Sequence, residues 1–312
     1  MSGKAPERLA ADARGIARAA ELLRAGALVA VPTETVYGLA ARADSAAAVA
    51  AIFRAKGRPE FNPLIVHVAS LAMARALARF DERAEALAAR YWPGPLTLVL
   101  PSRESAVVPA VSAGLPTLAL RMPDHPALSS LLGELGLPLA APSANRSGAI
   151  SPTAPEHVAQ SLGAGVAAIL DGGPCPRGLE STIVALREDG SWQLLRPGPI
   201  AEQELADLLG SPFALSNTGI EAPGQLARHY SPGKPLRLGA SEAAADEFLI
   251  GFGPVAGDCS LSEEGDTAMA AARLYACLHR AAASEKPRIA VAPVPETGIG
   301  AAINDRLRRA AA

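Results

Sequence analysis

The sequence predicts an α/β protein: a mixed, partly parallel, twisted sheet with helices packed on it, followed by a smaller second α/β unit. Three observations predict it. Apolar runs of strand length alternate with runs of helical period along the chain. The stretch 181–195 reads as a hairpin around Glu188-Asp189-Gly190. Finally, 210–235 collects Gly, Pro, Ser and Asn without a sustained period, as a linker does. The expected organisation is a larger domain over 1–209, a linker over 210–235 and a small domain over 236–312.

In chain order, Leu9, Ala13, Ile16, Ala20 and Leu23 recur at helical spacing and predict a first helix from Pro6 to Ala25, which Gly26 can stop. A buried strand is expected at Leu28–Val31, a helix capped by Ser45 through Arg54, and a strand at Leu64–Val68. Further strands are expected at 96–100, 117–121, 137–141, 167–171, 181–186 and 192–195, with helices at 71–80, 83–91, 126–135 and 154–162. After the linker come strands at 236–238, 248–251 and 289–292, a helix at 267–283 and a last helix from Ile299.

A chain of 312 residues with 49% hydrophobic content has ample material for more than one core. A formal net charge of -2 gives no global basic footprint for nucleic acid, so any anion site must be a local concentration of charge. Four of the 29 cations are lysines (4, 56, 234 and 286), leaving 25 arginines. The three cysteines, Cys175, Cys259 and Cys277, are odd in number and lack C-x-x-C spacing, which predicts neither a disulfide framework nor a zinc knuckle. Residues 1–12 contain no apolar leader core and no long uncharged apolar window occurs, so a soluble cytoplasmic protein is expected.

The densest chemistry lies between Val31 and His67. Pro32-Thr33-Glu34-Thr35-Val36-Tyr37-Gly38 follows a strand, and Lys56, Arg58, Asn62 and His67 close the span. Arg58 suits bidentate and Lys56 point-charge contact with phosphate, although two cations at a helix end also suit solvation against its dipole. A lone strand histidine is commonly a packed residue, and threonine hydroxyls commonly build turns. Their convergence at one sheet edge, where α/β proteins place ligands, points to a polar site. Ala141-Pro142-Ser143-Ala144-Asn145-Arg146-Ser147-Gly148 adds a strand, polar loop and capped helix of the kind that offers N–H groups to anions. Arg121 ends a strand and Arg196 precedes Pro197-Gly198-Pro199, although surface charge is the commoner fate of an arginine; Ser181-Thr182 enters a strand, and Tyr91-Trp92-Pro93-Gly94-Pro95 reads as a packing corner. Neither a P-loop, a G-x-G-x-x-G fingerprint, a G-x-S-x-G elbow nor H-E-x-x-H occurs.

The ordered series P-T-E-T-V-Y-G-L, K-x-R-P with N-P-L-I-V-H, W-P-G-P-L-T, R-M-P-D-H-P, P-S-A-N-x-S-G and E-S-T-I-V resembles the Sua5/YrdC/YciO family, in its two-domain Sua5 form, over nearly the whole chain. The resemblance implies a YrdC-like sheet around a cationic cavity and a small Rossmann-like Sua5 C-terminal domain. It implies synthesis of L-threonylcarbamoyladenylate from L-threonine, bicarbonate or CO2 and ATP, the first step toward N6-threonylcarbamoyladenosine in tRNA. Lys56, Arg58, Ser143 and Asn145 fall on the catalytic pattern. ATP contacts fall on Arg58, Asn62, Thr117, Ser143, Ser151, Arg196, His229 and Tyr230; threonine contacts fall on Thr35, His67, Arg121, the Ala141 backbone and Ser181. Mg²⁺ would accompany ATP, and no residue is assigned as a dedicated metal ligand.

The implied partners are the small substrates and the downstream machinery that transfers threonylcarbamoyl to tRNA, with no membrane. Arg228-His229-Tyr230-Ser231-Pro232 resembles the family's lid over the nucleotide, whereas Gln225-Leu226-Ala227 departs from the usual Met-Lys-Tyr. Two rival readings stand beside this one: an RNA-binding, translation-associated module, whose local cleft could bind RNA weakly, and an ordinary amino-acid adenylating enzyme.

Overall fold

The computed structural model describes residues 5–104, 107–211, 219–225 and 229–312. Its larger sheet contains β1 (Glu7–Ala10), β2 (Val29–Val31), β3 (Gly38–Arg42), β4 (Ile65–His67), β5 (Leu96–Pro101), β6 (Thr117–Arg121), β7 (Leu139–Ala140), β8 (Ala168–Asp171), β9 (Thr182–Leu186) and β10 (Trp192–Arg196). The strand order is β1-β8-β2-β3-β7-β4-β6-β5-β9-β10, a mixture of parallel and antiparallel pairs. Helices α1 (Ala13–Arg24), α2 (Ala46–Lys56), α3 (Leu71–Leu77), α4 (Glu82–Tyr91), α5 (Pro126–Leu135), α6 (Pro155–Leu162) and α7 (Glu202–Leu209) surround it.

Caps set the helix boundaries. Ser45 and Asp81 accept N–H groups of the first turns of α2 and α4, and α5 starts on Pro126 and ends at Gly136 in a left-handed conformation. The expected helix from Pro6 is instead a strand followed by a helix. Asp12, extended, caps α1 through Gly15 N–H at 2.8 Å, and Glu7–Ala10 pairs in parallel with β8. Gly15 lets the helix approach the Ala10 carbonyl more closely than any Cβ would permit. The strand β3 was also absent from the expected elements. Its Gly-Leu-Ala-Ala-Arg run is weak in β-propensity and is held by pairing with β2 and β7.

Period-2 alternation assigns the two faces of the sheet. Val66, Leu98, Leu100, Leu118 and Leu120 pack with α2, α3 and α4. Ile65, Val99, Ala119, Ile183 and Ala185 point the other way, where Leu195 and linker residue Ala222 join them. That second face carries the site. A third cluster joins β2, β3, β7 and β8 to α1 and α5.

The smaller sheet, β11 (Leu236–Leu238), β12 (Glu247–Gly251), β13 (Cys259–Ser260) and β14 (Arg288–Val291), is parallel in the order β11-β14-β12-β13, with α8 (Thr267–Ala283) and α9 (Ile299–Ala311). Its core extends into the larger unit through Val36, Ile150, Leu179 and Tyr230. Gly178 sits where a Cβ would meet the α8 backbone at 2.5 Å, so the two units touch backbone to backbone there. Cys259 and Cys277 form a disulfide between β13 and α8, contrary to the expectation drawn from cysteine number. Parity excludes one leftover cysteine from pairing but not the other two, and Cys175 is the buried free thiol. Among the described residues, no helix is long and apolar enough to cross a membrane.

Candidate active site

The turn after β2 is built by one hydroxyl. Thr33 Oγ1 accepts the N–H groups of Thr35 and Val36 at 3.0 Å and donates to Val36 O at 2.7 Å. Its single proton is thereby used, so Thr35 Oγ1, 2.8 Å away, is the donor between the two hydroxyls. Thr33, Val36 and Gly38 face the cavity, while Thr35 lies fully buried behind them.

Lys56 ends α2 with its ammonium group turned inward, 2.6 Å from Ser143 O and 2.5 Å from Asn145 O. Burial, assisted by neighbouring Arg58, pushes its pKa well below the ordinary lysine value. It staples the 141–148 loop, as does Ser147 N–H donating to Lys56 O at 2.8 Å. Ser143 bridges Gly38 and lines the cavity. Asn145 donates to Arg146 O and Ala149 O, leaving its buried Oδ1 without a hydrogen-bond partner among the described residues.

Arg58 is aimed by its own loop. Nε donates to Asn62 O at 3.1 Å, and Nη2 to Asn62 Oδ1 at 2.6 Å and Pro63 O at 2.8 Å. Burial, with the Arg196 charge nearby, lowers its pKa to about 10, which still leaves it cationic at neutral pH.

His67 and Arg121 are cross-strand partners on β4 and β6. Burial and Arg121 push the His67 pKa down to about 3, so the imidazole is neutral. Arg121 Nη2 lies 2.7 Å from Glu34 Oε1 in an ion pair whose N–H direction is not that of a hydrogen bond. Arg121 Nε donates to Gly94 O at 3.2 Å, so the Trp92-Pro93-Gly94 corner, read as packing in the sequence, orients a site cation.

A register irregularity in β10 between Leu194 and Arg196 turns Arg196 onto β9. Its Nε and Nη2 donate to Ser181 O and Oγ, both at 3.0 Å, and Thr97 Oγ1 lies 2.7 Å from the same hydroxyl. Glu180, one residue before, accepts from Ser151 Oγ at 2.5 Å and from Tyr275 and Arg306 of the smaller unit. These partners and the nearby arginines hold its pKa down to about 2 despite burial.

Pro223, Gly224, His229 and Tyr230 form the remaining wall. Gly224 has φ 88° and a Cβ there would sit 2.9 Å from Arg196 Cδ, so a larger residue would be strained as well as crowded. Only about 40 Å³ of water-accessible space remains inside, room for about three waters.

The cavity gathers Arg58, His67, Arg121, Ala141, Ser143, Arg196, His229 and Tyr230 of the residues expected from sequence. Ala141 N–H is already bonded to Ile65 O, leaving its carbonyl as the available backbone group. Lys56, Asn62, Asn145, Ser151 and Ser181 stand one layer back, each bonded to a residue of the cavity wall or its loops. Thr117 is on the same sheet face as Arg121 but at the other end of β6, lining a cleft with Arg79 and Arg187. Arg228, Leu226 and Ala227 of the expected lid lie outside the described residues. Sequence reasoning passed over Glu34, Glu180, Tyr275 and Arg306. Two acids inside otherwise apolar or hydroxyl-rich motifs were the available signal for the first two.

The profile of the Sua5/YciO/YrdC family, described as telomere recombination, matches residues 21–198. The chain belongs to the Sua5/YciO/YrdC family. Residues 200–312 match a second family described as threonylcarbamoyl-AMP synthase, C-terminal domain, which makes this the two-domain Sua5 form. The Bacillus subtilis threonylcarbamoyl-AMP synthase is 40% identical over 95% of this chain and 92% of its own length. The Pyrococcus abyssi threonylcarbamoyl-AMP synthase is also 40% identical, over 94% and 92%. The crystal structure of P. abyssi Sua5 complexed with L-threonine superposes with a TM-score of 0.89 at 36% identity, covering 99% of this chain and 98% of that one.

Proposed function

We propose that this Sua5-family chain is an L-threonylcarbamoyladenylate synthase acting on L-threonine, bicarbonate or CO2 and ATP. The observation that carries the reading is the convergence of Arg58, Arg121 and Arg196 with Ser143 on one narrow cavity whose polar wall is preassembled by Thr33 and His67. The shared name of the B. subtilis and P. abyssi relatives supports it over most of the chain.

In this reading the threonine carboxylate meets Arg121, and its amine, once freed of the ammonium proton, attacks the carbon of CO2; loss of a second N–H proton to solvent leaves the carbamate. A carbamate oxygen then attacks the α-phosphorus of ATP; the bond to the bridging oxygen breaks and pyrophosphate leaves. The threonine carboxylate, the carbamate and the triphosphate are all anionic, so the protein's task is positioning and charge compensation by Arg121, Arg58 and Arg196. Lys56 shapes the Ser143–Asn145 loop, whose Ser143 faces the substrates. Neutral His67, its buried Nδ1 without a partner among the described residues, is suited to orienting threonine by a hydrogen bond rather than to taking a proton. Thr35, through Thr33, and Ser181 would shape the threonine pocket; Asn62 and Ser151, through Arg58 and Glu180, the nucleotide side. His229 and Tyr230 would close over the nucleotide.

Mg²⁺ would arrive on the ATP phosphates and offset their charge. The carboxylate lining the cavity, Glu180, is already engaged by Ser151, Tyr275 and Arg306, which fits a metal held chiefly by phosphates and water. The product would pass to the machinery that transfers threonylcarbamoyl to tRNA, which goes with a cytoplasmic location.

The test is pyrophosphate release from ATP with Mg²⁺ and threonine, with and without bicarbonate. Bicarbonate-dependent release is expected, and Arg58→Ala is expected to lower it by about 10²-fold or more with the fold intact. Release indifferent to bicarbonate would instead indicate amino-acid adenylation. No turnover together with retained RNA would favour the binding-module reading.

A further inference from the structure

Arg306 of α9 is completely buried, a condition in which arginine survives only when its donors are paired. Its Nε donates to Glu180 Oε2 at 3.0 Å, Nη2 to Pro197 O at 2.9 Å and Nη1 to Asp305 Oδ2 at 2.7 Å, and its guanidinium lies 5.4 Å from the centre of the Tyr230 ring. Two of these partners, Glu180 and Tyr230, line the cavity, and Pro197 adjoins the lining residue Arg196. Glu180 precedes Ser181, Pro197 follows Arg196, and Tyr230 belongs to the linker.

Glu180 is the one acid lining that cavity, which it shares with Arg58, Arg121 and Arg196. Arg196 itself donates only to neutral oxygens, those of Ser181 and Pro223. Two charges of opposite sign in one narrow, largely buried cavity attract strongly unless each is otherwise compensated. Arg306 and the Tyr275 hydroxyl, 2.8 Å from Oε2, supply that compensation to Glu180 from the smaller unit. A carboxylate so occupied makes no direct ion pair or hydrogen bond with Arg196 among the described residues, although the two charges still attract one another.

We propose that Arg306 is a positioning residue for nucleotide binding: by holding Glu180, it prevents that carboxylate from capturing Arg196, and thereby couples the C-terminal unit to the phosphate side of the site. The inference rests on the proposed function for the identity of the nucleotide. It assigns the C-terminal unit a part in substrate binding beyond carrying the end of the linker.

The experiment compares wild type, Arg306→Met, Glu180→Gln and the double variant in the full chain, with circular dichroism to confirm folding. Arg306→Met is expected to raise the ATP KM by about tenfold or more, with kcat and the threonine KM within about threefold, since ground-state binding alone is weakened. Adding Glu180→Gln removes the competing carboxylate and is expected to bring the ATP KM back toward that of Glu180→Gln alone. A purely structural pair would lower the melting temperature and leave the ATP KM unchanged, or the double variant would bind ATP no better than Arg306→Met; either result overturns the proposal. Should Arg306→Met fail to fold, Arg306→Lys, which keeps the charge but not the fork between Glu180 and Pro197, is expected to raise the ATP KM by a smaller factor. An unchanged value there also overturns it. If wild type shows no threonine- and bicarbonate-dependent release, the functional reading fails. Titration with ATP alone then decides the proposal, which is overturned unless wild type binds more tightly than Arg306→Met.

Discussion

Glu34 and Arg121 face one another at 2.7 Å, with each side chain only 4% exposed. The pair holds a buried cation at the end of β6, which in the proposed function would meet the threonine carboxylate. Replacing Glu34 by Gln leaves a buried guanidinium without its counter-ion, at a cost of about 3–5 kcal/mol. Threonine should then substitute for the missing anion. Its addition is expected to raise the melting temperature of Glu34→Gln more than that of wild type. An equal or smaller rise would place the threonine carboxylate elsewhere.

Gly198 follows the β10 turn so closely that a Cβ would lie 2.5 Å from Thr182 N and 2.8 Å from Glu180 O. All of these neighbours are backbone, so Gly198→Ala must push β9 away from Arg196. A loss of about 1–3 kcal/mol in urea unfolding is expected, with weaker ATP binding. Gly133 on α5 has nothing within 4 Å of its Cβ position and provides the control, since Ala there should be neutral or stabilising. Equal effects at the two glycines would contradict the packing argument.

His157 of α6 and His279 of α8 stack with ring centroids 3.7 Å apart across the two units, and His279 Nε2 lies 3.1 Å from Ser151 O. Burial and His157 push the His279 pKa down to about 4, against about 6.5 for an unfolded histidine. Between those values the unfolded chain binds more protons than the native one, so unfolding free energy rises with pH. The contribution is lost progressively as pH falls from about 6.5 toward 4. His279→Gln should flatten the slope in that window, measured by urea unfolding at several pH values. An unchanged slope would mean that His279 titrates normally in the native protein.

The Cys259–Cys277 bridge spans 18 residues between β13 and α8. Loop-closure entropy assigns such a link about 3 kcal/mol. Cys259→Ser or reduction is expected to lower the stability of the C-terminal unit by that order, read by denaturant unfolding with and without reductant. Insensitivity to reductant, with two free thiols titrated in the native protein, would show that the bridge does not form.

The reach of the sequence followed the range of the interactions. Elements with local signals, such as α2 behind Ser45 and β6 ending at Arg121, were legible because caps and alternation are short-range. β1 was not, because Glu7–Ala10 becomes a strand only by pairing with Ala168–Asp171 far along the chain. At the site, motif order brought out Arg58, Ser143 and Arg196, while the distinction between facing the cavity and supporting it was hidden. Lys56 looks like a phosphate clamp in sequence, yet its ammonium is spent on the Ser143 and Asn145 carbonyls. Arg306 stands in a C-terminal run, Asn304-Asp305-Arg306-Leu307, that gives it no role by itself. Its importance arises from Glu180, 126 positions earlier.

The central claim is tested most directly by supplying ¹³C-bicarbonate with ATP, Mg²⁺ and L-threonine and analysing the adenylate product by mass spectrometry. The account predicts threonylcarbamoyl-AMP carrying the label, formed in step with pyrophosphate and absent when any one of the three substrates is omitted. An unlabelled threonyl adenylate, or no adenylate despite bound ATP and threonine, would contradict it.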